Sequence, residues 1–142
     1  MITDLAHTAF RVRDVEASLA FYRLLGLNEA FRLHRDDGSL MLVYIHIGGN
    51  RFLELFPNGP EPDPNRQQSF HHICLATDDI HGLVEHLRAN GVTIDVEVKE
   101  GLDRNLQAWV KDVDGNAIEL MQLAPDSPQT LIATTGAAPG WQ

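Results

Sequence analysis

The sequence predicts an α+β fold made of two tandem βαβββ modules. The first observation behind this is a repeat at a single offset of 65 positions (72 − 7): His7 recurs as His72, Asp14 as Asp79, Gly26 as Gly91, Tyr44 as Trp109 and Glu54 as Glu119. The strings HTAFRVRD and HICLATDD, LLGL and ANGV, and FLELF and AIELM align at that offset without a gap. An internal repeat means two copies of one supersecondary unit, each needing a neighbour to bury its apolar face. The second observation is the order of periodicities within each copy, which reads strand, helix, then three strands.

In the first copy, Leu5 to Val12 alternates as a strand with His7, Ala9 and Arg11 on one face. Asp14 is placed to cap a helix whose apolar residues Val15, Leu19, Tyr22 and Leu25 fall at helical spacing, and Gly26 stands where a left-handed C-terminal residue is wanted. Strands are expected at 28–35, 40–47 and 51–56, joined by Asp37-Gly38 and Gly48-Gly49-Asn50. The second copy repeats the order with a strand at 70–77, a helix at 79–90 closed by Gly91, and strands at 92–98, 105–111 and 116–121 around an Asp114-Gly115 turn. Module 1 thus spans about 4–56 and module 2 about 70–123. The linker between them, 57–69, holds four of the seven prolines and reaches about 40 Å if extended. After Leu123 the chain turns Pro-, Gly-, Ala- and Thr-rich, and 124–142 reads as a loosely held tail with no assigned element.

Composition narrows the function classes. A chain of 142 residues that is 44% hydrophobic and 22% charged can bury a core of its own. Its 11 basic and 20 acidic residues give a net charge of −9, which repels phosphate backbones and argues against nucleic acid as a partner. The single cysteine, Cys74, excludes an intrachain disulfide and suits a reducing compartment. No basic segment followed by an apolar run opens the chain, and the longest apolar run, 40–47, is interrupted by His46. A soluble, cytoplasmic protein without a membrane partner is the expectation.

The candidate chemistry lies in the repeat. Each histidine precedes its glutamate by 47 positions (54 − 7 and 119 − 72). Alternation places Glu54 on a face with Phe52 and Phe56, and Glu119 on a face with Ala117 and Met121. Burying a carboxylate among apolar neighbours costs several kcal/mol unless it is paired or binds a cation. A lone glutamate there reads as an edge residue reaching solvent. Two at equivalent positions, each matched by a first-strand histidine, read as metal ligands. His71 competes with His72, but alternation puts it on the opposite face with Ile73 and Leu75, as a structural or surface residue. His34, His46, His81 and His86 have no partner at the offset and read as surface residues. The set His7, Glu54, His72 and Glu119 offers mixed nitrogen and oxygen donors that suit one divalent ion (Ni, Co, Zn, Mn or Fe). Four protein ligands leave open positions for substrate, which is catalytic in character.

The strings HTAFRVRDVEASLAFYRLLGL, FLELFPN, HICLATDDI and DVDGNAIEL resemble the vicinal oxygen chelate superfamily, the glyoxalase–bleomycin resistance–dioxygenase fold, and within it most closely glyoxalase I (lactoylglutathione lyase). The resemblance covers about residues 4–123. It implies a curved, cup-shaped sheet of eight strands with helices on the outside, and the same four ligands. It further implies that Arg11 and Asn58 bind the γ-glutamyl end of glutathione as co-substrate, and that Lys99 and Arg104 meet a second carboxylate. Read from the residues alone, Arg11 would be a surface ion pair and Asn58 a turn residue. The leading expectation is a metal-dependent lyase or isomerase acting on a hemithioacetal, with Glu119 or Glu54 abstracting the proton and the enediolate stabilised. The alternatives are another metal-dependent member, an epimerase or an Fe(II) extradiol dioxygenase, or a non-catalytic small-molecule binding or resistance protein. A homodimer is expected, because a half-module leaves strand edges and an apolar face uncovered.

Overall fold

The computed structural model describes residues 4–63, 65, 70–137 and 139–140. Its order is β1 (His7–Arg11), α1 (Val15–Leu24), β2 (Glu29–His34), β3 (Leu40–Gly48), β4 (Arg51–Phe56), β5 (Ile73–Ala76), α2 (Ile80–Ala89), β6 (Ile94–Glu100), β7 (Leu106–Lys111), β8 (Ala117–Gln122) and α3 (Pro128–Thr135). The doubled βαβββ order of the α+β reading is therefore the observed one. The eight strands form two four-stranded sheets, ordered β1-β4-β3-β2 and β5-β8-β7-β6. Linker residues 64 and 66–69 lie outside the described residues. Among the described residues, no helix is long and apolar enough to cross a membrane.

The two sheets repeat one register. In the first, β1 runs parallel to β4 with Ala9 beside Glu54, and β3 runs antiparallel with Tyr44 beside Glu54. In the second, Cys74 and Trp109 flank Glu119 in the same way. The helices are cut by the residues that predicted them. Asp14 accepts from the backbone N–H groups of Glu16 and Ala17 at the start of α1, and Asp79 accepts from Gly82 at the start of α2. Gly26 and Gly91 follow the two helices at φ +76° and +80°, where a Cβ would be strained.

By contact, the chain divides into two compact units, 1–66 with 112–115, and 67–111 with 116–142. The core of the first includes Val12, Leu19, Tyr22, Val43, Ile45, Leu53 and Leu55, each fully buried. The second unit buries Ile80, Leu87, Ile118 and Leu120, and α2 packs on β6, β7 and β8. In both units the leucines and isoleucines that flank the repeated glutamate fill the core. Burying each is worth about 1.5–3 kcal/mol, and this holds β4 and β8 with their glutamates turned the other way.

Two sequence expectations change here. The tail reading gave 124–142 no element, yet Pro128–Thr135 forms α3. Ser127 caps it through Thr130, Pro128 opens it, and Gly136 ends it in the left-handed region. Residues 70–77 were read as one alternating strand, but β5 begins only at Ile73, so His71 and His72 precede it and the alternation does not reach them.

Candidate functional site

Each unit presents one histidine–glutamate pair. In the first, His7 Nδ1 lies 3.5 Å from Glu54 Oε1, with the imidazole about half exposed and the carboxylate only 8% exposed. In the second, His72 Nε2 lies 3.1 Å from Glu119 Oε2, the side chains being 30% and 9% exposed. In the first unit the pairing follows from register, since β1 sets His7 beside Phe52, two residues before Glu54 on the same face of β4. In the second, His72 lies just ahead of β5 and reaches Glu119 from outside the strand.

The pairs share a plan but differ in their surroundings. Tyr44 stands directly across the sheet from Glu54, and the carboxylate beside it raises the phenol above its ordinary pKa. At the equivalent place Trp109 directs its indole N–H to Gln107 Oε1 at 3.2 Å instead. Cys74 lies beside Glu119 in register, and burial first and the Glu119 charge second push its thiol up to about 12. Cys74 is therefore a thiol and not a thiolate at neutral pH. His71 is not on the far face. Its Nδ1 lies 2.7 Å from His72 Nδ1, and both rings lie edge-on to Trp109. His71 is exposed, in keeping with a surface or structural residue, and a second imidazole nitrogen held by a partner fixes which nitrogen of His72 is presented.

The remaining candidates are placed as follows. Arg11 is exposed on the His7 face and forms no ion pair among the described residues. Asn58 sits just past β4 in the left-handed region at φ +63°, a conformation asparagine tolerates well, so it shapes the turn there. The next residue, Gly59, lies so close to the Arg11 carbonyl that a Cβ would stand 2.3 Å from its oxygen. Lys99 is exposed on the edge strand β6 beside Gln107. Arg104 has φ +68° and pairs its guanidinium with Asp126 Oδ2 at 2.6 Å, so that tail carboxylate competes for the cation. His34, His81 and His86 are exposed, and His46 bonds the Gly49 carbonyl.

Tyr44 and Cys74 are the site neighbours that sequence reasoning did not assign. Tyr44 and Cys74 had a signal, since both lie at the repeat positions that flank a glutamate. Among the described residues, no group of three or more His, Cys, Asp or Glu side chains could by itself hold a metal ion. The donor chemistry nonetheless fits one. In each unit a buried carboxylate and an imidazole are the hard and borderline donors preferred by first-row divalent ions, and a cation would offset the desolvation of the carboxylate.

Two sheets of doubled βαβββ order define a fold class. The sequence profile of the glyoxalase/bleomycin resistance protein/dioxygenase superfamily matches residues 4–120, and the chain belongs to that superfamily. It is 32% identical over 125 residues to a Synechocystis protein named "Probable lactoylglutathione lyase", covering 83% of this chain and 94% of that one. It is 27% identical to human mitochondrial methylmalonyl-CoA epimerase, covering 83% of this chain and 73% of the epimerase. The solved structure of the trypanothione-dependent glyoxalase I of Leishmania major superposes with a TM-score of 0.70 at 29% identity, covering 85% of this chain and 87% of that one.

Proposed function

We propose that the protein is a divalent-metal-dependent lyase or isomerase of the glyoxalase I type, acting on the hemithioacetal of a thiol and a 2-oxoaldehyde. The observation that carries this reading is the His–Glu pair, present in each unit with its carboxylate buried. His7, Glu54, His72 and Glu119 would hold the ion, the two pairs coming from one chain or from two chains of a homodimer. When bound, a divalent ion supplies Lewis-acid polarisation of adjacent substrate oxygens, which acidifies the neighbouring C–H. Glu119 takes that proton and returns it to the adjacent carbon, so the substrate is isomerised with no net gain or loss of atoms. Arg11, exposed on the His7 face, is suited to hold a substrate carboxylate, glutathione being the thiol that fits this role.

A second reading has a specific support, the relationship to methylmalonyl-CoA epimerase. Removing a proton beside a thioester carbonyl and returning it to the other face uses the same base and the same polarisation. Metal analysis of the purified protein, with rates measured on glutathione plus methylglyoxal and on methylmalonyl-CoA, decides between them. Bound metal with turnover of the hemithioacetal alone is expected. Turnover of the thioester alone would replace the leading reading, and bound metal with neither rate would favour a binding protein. Sedimentation at micromolar concentration should give a dimer, and a monomer would remove the between-chain arrangement.

A further inference from the structure

In the second unit one side chain joins the surroundings of Glu119 to the last helix. Gln107 Oε1 accepts the Trp109 indole N–H at 3.2 Å. Trp109 stands across the sheet from Glu119, and the His72 ring lies edge-on to it at 4.7 Å between centroids. The far end of the Gln107 amide is covered by the loop after β6, where the Gly101 backbone comes so close that a Cβ there would displace it. The loop closes on itself, the Gly101 N–H donating to the Asn105 carbonyl and the Arg104 N–H to the Gly101 carbonyl. It is stapled in turn to the segment after β8. The Ala124 N–H donates to Asn105 Oδ1 at 2.8 Å, Arg104 Nη1 to Asp126 Oδ2 at 2.6 Å and Gln129 Nε2 to Asp103 Oδ2 at 2.6 Å. Asn105 is buried, so the first bond is a fixed hinge, whereas the other two lie at the surface. Helix α3 buries none of its own residues. A helix hinged at a buried bond and otherwise held by surface contacts can open while the sheet stays folded.

We propose that α3 is a strap: docked, it holds loop 101–105 against Gln107, and Gln107 positions Trp109 beside His72 and Glu119; released, it lets Trp109 move and loosens that half of the site. Gln107 is thus a positioning residue that acts through Trp109. The first unit lacks this device, because the position equivalent to Gln107 (107 − 65) is Leu42, whose side chain has no hydrogen-bonding group. The strap concerns the order of the second unit and holds whatever ligand His72 and Glu119 take.

The test reads the fluorescence of Trp109 in a Trp141→Phe parent, which leaves Trp109 as its one tryptophan, together with amide exchange across 128–135. Adding Asp126→Ala and Gln129→Ala removes both surface staples and should raise exchange in α3 about tenfold, the effect of two lost hydrogen bonds. Trp109 emission should then shift to the red and its quenching by acrylamide should rise, while exchange in β8 and the urea midpoint stay at the parent's values. Gln107→Met keeps the length of the side chain without its amide, and should by itself give the red-shifted emission. In that background, removing the staples should still speed exchange in α3 but change Trp109 no further. A Trp109 signal that stays unchanged when α3 opens would overturn the strap, and so would a response to staple removal that persists in Gln107→Met. If exchange in α3 did not rise, the two contacts would not be what holds it, and the proposal would fall at its first step.

Discussion

The Tyr22 hydroxyl donates to Asp112 Oδ2 at 3.1 Å, from helix α1 to a turn that lies 90 residues further along the chain. Tyr22 is fully buried and Asp112 nearly so, and both belong to the first compact unit. Ser18 and Arg13 bond Asp114 in the same unit, so the turn after β7 is held by a buried polar network. Such a network is stabilising when every member has its partner and costly when one is removed.

This network makes folding sensitive to alkali. Burial first, then the Asp112 charge, raises the Tyr22 phenol well above its ordinary value of 10.0. The folded state therefore keeps the proton that the unfolded chain gives up above about pH 10, and stability is present below that pH and lost as pH rises beyond it. Tyr22→Phe should lose about 1–3 kcal/mol at pH 8, because Asp112 loses a donor. Its urea midpoint should then fall less steeply than wild type between about pH 9 and 11. Parallel pH profiles for the two proteins would show that Tyr22 does not control the alkaline limb.

The leucines beside the repeated glutamates should account for much of the stability. Leu53 and Leu120 are 0% and 1% exposed, on the strands that carry Glu54 and Glu119. Leu53→Ala or Leu120→Ala should each cost about 2–5 kcal/mol in chemical denaturation. A loss below about 1 kcal/mol at either site would mean that the strand is not anchored by its core face.

Helix α3 should open on its own. No residue of α3 is buried, and it is tied down by the Ser127 cap and by Gln129 Nε2 donating to Asp103 Oδ2 at 2.6 Å. Ser127→Ala should cost about 1 kcal/mol, raising amide exchange within 128–135 about fivefold while leaving β8 unchanged. Equal acceleration in β8 would show that the helix and the second sheet unfold together.

The sequence announced the elements that depend on local chemistry. Asp14, Asp79, Gly26 and Gly91 bound the helices through capping and left-handed backbone, which any chain with those residues at those spacings would form. The His–Glu pairs were legible because each histidine precedes its glutamate at one repeated spacing, although only His7 lies in a strand register. Alternation failed at His71 because it presumes a strand, and the strand starts two residues later. Helix α3 carried its signals, Ser127, Pro128 and Gly136, but little apolar periodicity accompanies them in a segment where no residue is buried. The attachment of Asp112 to Tyr22 had no local mark, since it depends on where a side chain ends after the sheet has formed.

The paired variants Glu119→Gln and His7→Ala separate the base from the metal site. Glutamine is nearly isosteric with glutamate and keeps an oxygen that can meet an ion, but it cannot accept a proton at neutral pH. Glu119→Gln should therefore keep the fold and most of the bound metal while its hemithioacetal turnover falls at least about 10²-fold, the lower range for a lost general base. His7 is half exposed and touches Glu54, so His7→Ala should leave folding intact and weaken metal binding itself. Added metal should then restore part of its rate. Metal content and isomerase rate are measured on both variants in parallel. Normal turnover by metal-loaded Glu119→Gln would reduce Glu119 to a ligand and move the proton transfer to Glu54. Undiminished metal content in His7→Ala would remove His7 from the ligand set and leave its pairing with Glu54 a purely structural contact.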